Sequence, residues 1–179
     1  MNKHQKKMES LNPSIDFLLA VHAAVPGITE TVLATGQTTD NRSSYEILCD
    51  AAEPLAGRTV VDLACGSGRL TELLVERVGT DGKVIGIDLS PSELNLAQRR
   101  LQGNECVQFL RESACRLSLP NASVDAVLCH MAFMLFQPIE AAVAEIARIL
   151  RPSGVLAVVM PSLTSTNEQF TKVRTSLAT

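Results

Sequence analysis

Val60-Val61-Asp62-Leu63-Ala64-Cys65-Gly66-Ser67-Gly68-Arg69-Leu70-Thr71, answered downstream by Ile85-Gly86-Ile87-Asp88, is the stretch on which the fold turns. An apolar run that breaks into small residues and glycines, then resumes with helical spacing, reads as a strand, a tight turn and a helix that opens against a ligand. Such a turn takes a nucleotide-like group. Asp62, just before the turn, opposes a pyrophosphate and suits a ligand carrying an ammonium or a sulfonium. A dinucleotide fingerprint starting at Gly66 requires a third glycine at position 71, and Thr71 stands there, so G-x-G-x-x-G is absent.

Outward from this turn the pattern alternates. Strands are expected over 59–63, 83–87, 106–110, 124–129 and 155–160, with helices over 69–78, 91–101 and 138–150. The helix after Asp88 carries its own start signal, Ser90-Pro91-Ser92-Glu93, read as a cap, a first-turn proline and the glutamate of a capping box. Strands alternating with helices imply a doubly wound, mostly parallel sheet of Rossmann-like α/β type, whose ligands sit at the carboxyl ends of the strands. Residues 1–57 read as a preceding helical segment and 58–179 as the core, together one domain. In the first part, Asn12-Pro13 opens a helix with Ile15, Leu18, Leu19 and His22 on one face, and Pro26-Gly27 ends it. A short helix over 28–35 follows, then a third opened by the capping box Ser43-Ser44-Tyr45-Glu46.

Composition removes several function classes. The 46% hydrophobic and 20% charged content of 179 residues is enough for one substantial core. Sixteen basic against nineteen acidic residues leave a net charge of −3, without a basic stripe beyond Lys3-His4-Gln5-Lys6-Lys7, so no phosphate-backbone footprint is present and nucleic acid is not an expected partner. The apolar runs are too short to span a membrane, no secretory pattern follows the basic start, and a cytoplasmic location is expected. Five cysteines without C-x-x-C spacing suggest reduced thiols, with no disulfide framework and no metal site. Hydrolase signatures are missing as well.

Read from Asp62, the turn is D-x-A-x-G-x-G, and Val61 to Gly68 resembles the first motif of class I S-adenosylmethionine-dependent methyltransferases, with Ala64 in place of its first glycine. The resemblance runs from about Tyr45 to Met160 and is nearest the ubiquinone/menaquinone-type branch. It implies S-adenosylmethionine as cofactor, held by Asp62, Ala64, Cys65, Gly66 and Gly68 of the turn, by Asp88 and Leu89 after the second strand, and by Ser113-Ala114 where the family usually has Asp-Ala beside the adenine. An ionised Asp88 accepts both ribose hydroxyl hydrogens, each such charge-assisted bond contributing about 1.5–3 kcal/mol. Ser113 can still bond the adenine amino group but brings no charge. Glu145 to Leu156 is similar to the family's last helix and its turn, a structural block.

The resemblance implies in-line transfer of a methyl group to a small-molecule acceptor. The sulfonium is already activated, so alignment and desolvation carry most of the catalysis. His130, at the end of the fourth strand, is counted with the cofactor-binding residues and is open to three roles: catalytic base, substrate hydrogen bond, or satisfied structural histidine. Tyr45 either faces the cofactor or packs. His22 reads as structural, and Met131, Phe133, Met134 and Phe136 as core or pocket wall. The helices before the first strand are the expected lid. A cofactor-binding or regulatory subunit without turnover is the alternative, and a nicotinamide oxidoreductase is disfavoured by Thr71. Past the fifth strand the family's further antiparallel strands are expected to be lacking. Residues 161–179, rich in Thr and Ser, are expected to form one short helix, leaving the fifth strand an apolar edge open to self-association.

Overall fold

The central strands are those whose residues are apolar on both faces. β1 (Thr59–Leu63) and β4 (Val124–His130) are buried almost end to end, as parallel strands covered by helices on both sides must be. The structure is a computed structural model that describes residues 13–33, 41–161 and 170–176. β2 (Lys83–Asp88), β3 (Val107–Arg111) and β5 (Leu150–Pro161) complete five parallel strands in the order β3-β2-β1-β4-β5. The order reverses between β1 and β4, which opens the ligand crevice at their carboxyl ends.

Alternation along the strands divides the core. Val60, Ala126, Leu128 and Ala157 pack with Leu48 and Ala52 of α3 (Ser44–Ala52) and Leu70, Leu74 and Val78 of α4 (Arg69–Val78). Val61, Leu63, Val127, Cys129 and Val158 face the other way, against Ala142, Ile146 and Ile149 of α6 (Ile139–Ile149). This is the period of two expected of strands. α5 (Pro91–Arg100) follows β2 and packs beside α1 (Pro13–Ala24), while α2 (Ile28–Leu33) lies between α1 and α3 in sequence.

Most expected elements stand within two residues of their predicted bounds. Asn12, read as the cap of α1, and residues 34–40, beyond the end of α2, lie outside the described residues. The capping box of α3 is complete: Ser43 Oγ accepts from the Glu46 N–H, and the Ser43 N–H donates to Glu46 Oε2 at 2.7 Å. That of α5 is not. Ser90 Oγ accepts from the Glu93 N–H, but the Glu93 carboxylate turns away to the backbone N–H of Gly27 at 2.7 Å.

The expectation of an unpaired fifth strand and a helical tail is corrected by β6 (Phe170–Ser176), which runs antiparallel to β5 in register from Val155↔Ser176 to Pro161↔Phe170. The physical reason is in Phe170-Thr171-Lys172-Val173-Arg174-Thr175-Ser176, where β-branched residues fall at every second position, a strand pattern and a poor helix. The edge on which self-association was expected is thus paired within the chain. A chain ending at Pro161 leaves the apolar β5 edge exposed, and light scattering at micromolar concentration is expected to show larger species than for the intact chain; identical masses would show that β6 does not guard that edge.

Candidate functional site

At the carboxyl end of β1 the backbone enters the left-handed region three times, at Ala64 (φ 62°), Gly66 (φ 53°) and Gly68 (φ 84°). Gly68 is also the N-cap of α4, and a Cβ there would sit 2.9 Å from Ala97 Cβ of α5, so both the backbone angle and the close approach demand glycine. Ala64 adopts a glycine conformation with a methyl group, which costs about 1–2 kcal/mol.

Asp88, ending β2, anchors this turn. Its Oδ2 accepts from the Gly66 N–H at 2.9 Å and its Oδ1 from the Ser90 N–H at 2.8 Å. A carboxylate offers about four lone-pair directions, so acceptor capacity remains on both oxygens. Burial raises the Asp88 pKa, and the hydrogen bonds from Ser90 and Gly66 oppose the rise.

Asp62 is almost wholly enclosed, and Thr71 Oγ1 donates to its Oδ2 at 2.6 Å. The residue that breaks the dinucleotide pattern is therefore the partner of this carboxylate. Burial pushes Asp62 up to about 7, against the pull of the Thr71 hydrogen bonds.

One cavity of about 160 Å³ brings together Tyr45, Asp62, Ala64, Cys65, Gly66, Asp88, Leu89, Ser113, Ala114 and His130. Gly68 is the exception. It stands behind the turn against Ala97 and shapes the cavity without lining it. Ser113 Oγ accepts from the Cys115 N–H at 3.2 Å, which leaves its hydroxyl hydrogen for a ligand. Cys65 lies under the turn with its thiol pKa pushed up by burial, as are those of Cys49 and Cys129, so these sulfurs stay protonated.

At the end of β4 His130 is 9% exposed, with Nε2 2.8 Å from Ser44 Oγ and its ring stacked on Tyr45 at a centroid distance of 3.9 Å. Burial lowers its pKa to about 4, so the imidazole is neutral at pH 7. Tyr45 is pushed up to about 12, by burial first and then by Glu30 and Asp62, and keeps its phenolic proton. Met131, Leu135 and Phe136 wall the cavity beyond His130, whereas Phe133 packs on the core and Met134 is exposed.

Sequence reasoning missed how the N-terminal helices are tied down. Ile15, Leu18, Leu19, His22, Thr29 and Glu30 all reach the cavity. The straps are polar: Gly27 N–H to Glu93 Oε1, Ser92 Oγ to the His22 carbonyl at 3.0 Å, Arg100 Nη2 to the Glu30 carboxylate at 2.9 Å, and Ser67 Oγ to Glu30 Oε2. Glu93 was legible only as a helix cap. His22 is satisfied by Thr29 at 2.9 Å, in keeping with its structural reading, although its ring also borders the cavity.

The residues fit S-adenosylmethionine, the cofactor that the resemblance implies. Asp62, Asp88, Glu93 and Glu112, together with Glu30 paired to Arg100, outnumber Arg69 around the cavity, a balance that suits a cation; Asp88 retains acceptor capacity for hydroxyls, and the left-handed turn admits a ligand close to the backbone. Among known families, the description "Methyltransferase domain" matches residues 61–158, more than half of the 179. The chain belongs to the methyltransferase-domain family.

Within this family, the demethylmenaquinone methyltransferase of Thermus thermophilus is 36% identical over 110 residues, 61% of this chain and 50% of that protein. The 2-phytyl-1,4-naphtoquinone methyltransferase of Thermosynechococcus vestitus is 31% identical over 127 residues, 70% of this chain and 56% of that one. The chain thus spans about half the length of the curated relatives it matches. A solved SAM-dependent methyltransferase from Aquifex aeolicus shares the fold with a TM-score of 0.65, at 23% identity, over 70% of this chain and 68% of that one.

Two stability measurements check the site. Asp62 has a folded pKa raised from 3.8 to about 7, so the folded state binds the extra proton and stability falls as pH rises through that window. Urea unfolding of the ligand-free protein at a series of pH values is expected to give a steeper decline for the native chain than for Asp62→Asn; parallel curves would mean that Asp62 is not buried. Ala64→Gly, by releasing the left-handed alanine, is expected to raise the unfolding free energy by about 0.5–1 kcal/mol, a smaller gain than the full strain because glycine also frees the unfolded chain.

Proposed function

We propose that this methyltransferase-family chain binds S-adenosylmethionine and transfers its methyl group to an uncharged, apolar small-molecule acceptor. The single observation that carries the reading is the anchoring of Gly66 by Asp88 in the same cavity as buried Asp62. When bound, the cofactor supplies a methyl group on a sulfonium, a leaving group that needs no acid.

The protein's own part is then binding, orientation and exclusion of water. Asp88 turns its spare lone pairs to the ribose hydroxyls, with Leu89 beside it, and Ser113 and Ala114 border the adenine. Asp62 faces the cationic end, where a positive charge favours its ionised form and offsets the cost of burying it. His130 is the polar group of the acceptor side, between the turn and the apolar wall of Met131, Leu135 and Phe136. α1 and α2 act as a lid, closed by the Glu30, Glu93 and Ser92 straps, and dry the cavity for the displacement. An aromatic quinol-type acceptor is the reading that the named relatives add, and the apolar wall supports it.

A second reading, cofactor binding without turnover, is favoured by Ser113, a neutral residue at the position where the family usually has Asp. Calorimetry separates the cases in order. S-adenosylmethionine and S-adenosylhomocysteine are expected to bind at micromolar Kd, and Asp88→Ala to weaken binding by about 1.5–3 kcal/mol, roughly 10–150-fold. S-adenosylhomocysteine release with demethylmenaquinol in the mixture would support methyl transfer; binding without any release across an acceptor panel would support the second reading. No binding by a folded protein would overturn both.

A further inference from the structure

Ser44 is the one buried hydroxyl in direct contact with His130, and what it can do is limited by its surroundings. It stands in the first turn of α3, 2% exposed, with Oγ 2.8 Å from His130 Nε2 and no other hydrogen-bond partner among the described residues. Two arrangements fit this distance. The hydroxyl donates to a bare Nε2, which puts the ring proton on Nδ1, or it accepts from Nε2–H, which leaves Nδ1 bare. In the second arrangement the Ser44 hydroxyl hydrogen is buried with nothing to accept it, a penalty that native interiors avoid. The first arrangement leaves no buried hydrogen without an acceptor.

The ring is also held in place. Tyr45 stacks on it with an interplanar angle of 20°, and the next residue, Met131, takes a left-handed backbone (φ 57°) with its N–H bound to the Val159 carbonyl at 2.8 Å. Nδ1 meets no protein partner among the described residues and is not sealed from solvent, since no buried side-chain nitrogen or oxygen lacks a partner, and His130 lines the cavity. Burial further disfavours the doubly protonated ring.

We infer that Ser44 is a positioning residue that locks His130 in its Nδ1–H form, so that His130 offers the cavity a hydrogen-bond donor rather than a base and selects acceptor molecules bearing a neutral carbonyl or hydroxyl oxygen. Of the three roles open to His130 in the sequence, this is the substrate hydrogen bond. The reacting molecule's own proton does not pass to His130. The lock itself is independent of the proposed reaction; only the identity of the molecule held rests on the methyl-transfer reading.

Long-range proton–nitrogen NMR of protein labelled with nitrogen-15 in its three histidines reads the lock directly, with His22→Gln and His130→Gln giving the assignment. A protonated Nδ1 and bare Nε2 for His130 at neutral pH are expected, retained in Ser44→Thr and lost to a mixed population in Ser44→Ala. An Nε2–H form in the native protein overturns the inference, and that spectrum stands even if the Ser44 variants fail to fold. The donor is tested with 1,4-naphthoquinone and naphthalene as binding probes. The quinone is expected to bind about tenfold more tightly than the hydrocarbon. This margin should persist in His130→Asn, whose amide nitrogen replaces Nδ1, and vanish in His130→Ala. Equal margins in both variants overturn the donor role. Absence of turnover with a protonated Nδ1 would count against the proposed reaction and leave the lock intact.

Discussion

The Asp88 carboxylate is the knot on which the site depends. Its two oxygens hold the N–H groups of Gly66 and Ser90, so one side chain at the end of β2 fixes the glycine turn after β1 and the entry to α5 together. The turn cannot be shifted without breaking a partly buried charge-assisted bond. Gly68 then lets α4 and α5 approach to van der Waals contact behind it, and the cavity takes its shape from that approach. Charge, backbone angle and packing all converge on the few residues between Asp62 and Gly68.

The same carboxylate and its neighbour Asp62 are kept at a cost in desolvation. Both Asp62 and Asp88 have pKa values raised by burial, which means that the empty protein carries a desolvation cost in the cavity it maintains. A cationic ligand removes part of that cost. Local instability in the empty state and affinity in the filled state are thus one electrostatic arrangement seen from two sides, a common feature of sites that break folding rules for function.

The sheet was legible in the chain because periodicity reports burial, and burial is what a parallel strand requires; Val60 and Val61 point to opposite layers as their alternation implies. Asp62, Asp88 and the glycine turn were legible because charge and small size are rare at such positions. β6 was missed because Thr-rich composition was weighed without its alternation. Glu93 was missed because a glutamate three residues after a serine satisfies the capping pattern, and nothing local tells it to reach instead for Gly27, 66 residues away. Ser44 was invisible for the same reason, its partner His130 being 86 residues downstream. Local signals survive in sequence; pairings across the fold do not.

The straps over the cavity differ in kind from its walls. The wall is largely aliphatic and aromatic, but α2 is held down through Glu30, which meets Arg100 and Ser67, two partners on separate elements. Lifting α2 therefore breaks an ion pair that is about a quarter exposed on each side, in addition to apolar contacts. Dissolved salt weakens such a pair while leaving apolar contact almost untouched. The hold of α2 over the cavity is accordingly the part of the entrance most sensitive to ionic strength, while its aliphatic and aromatic wall is not.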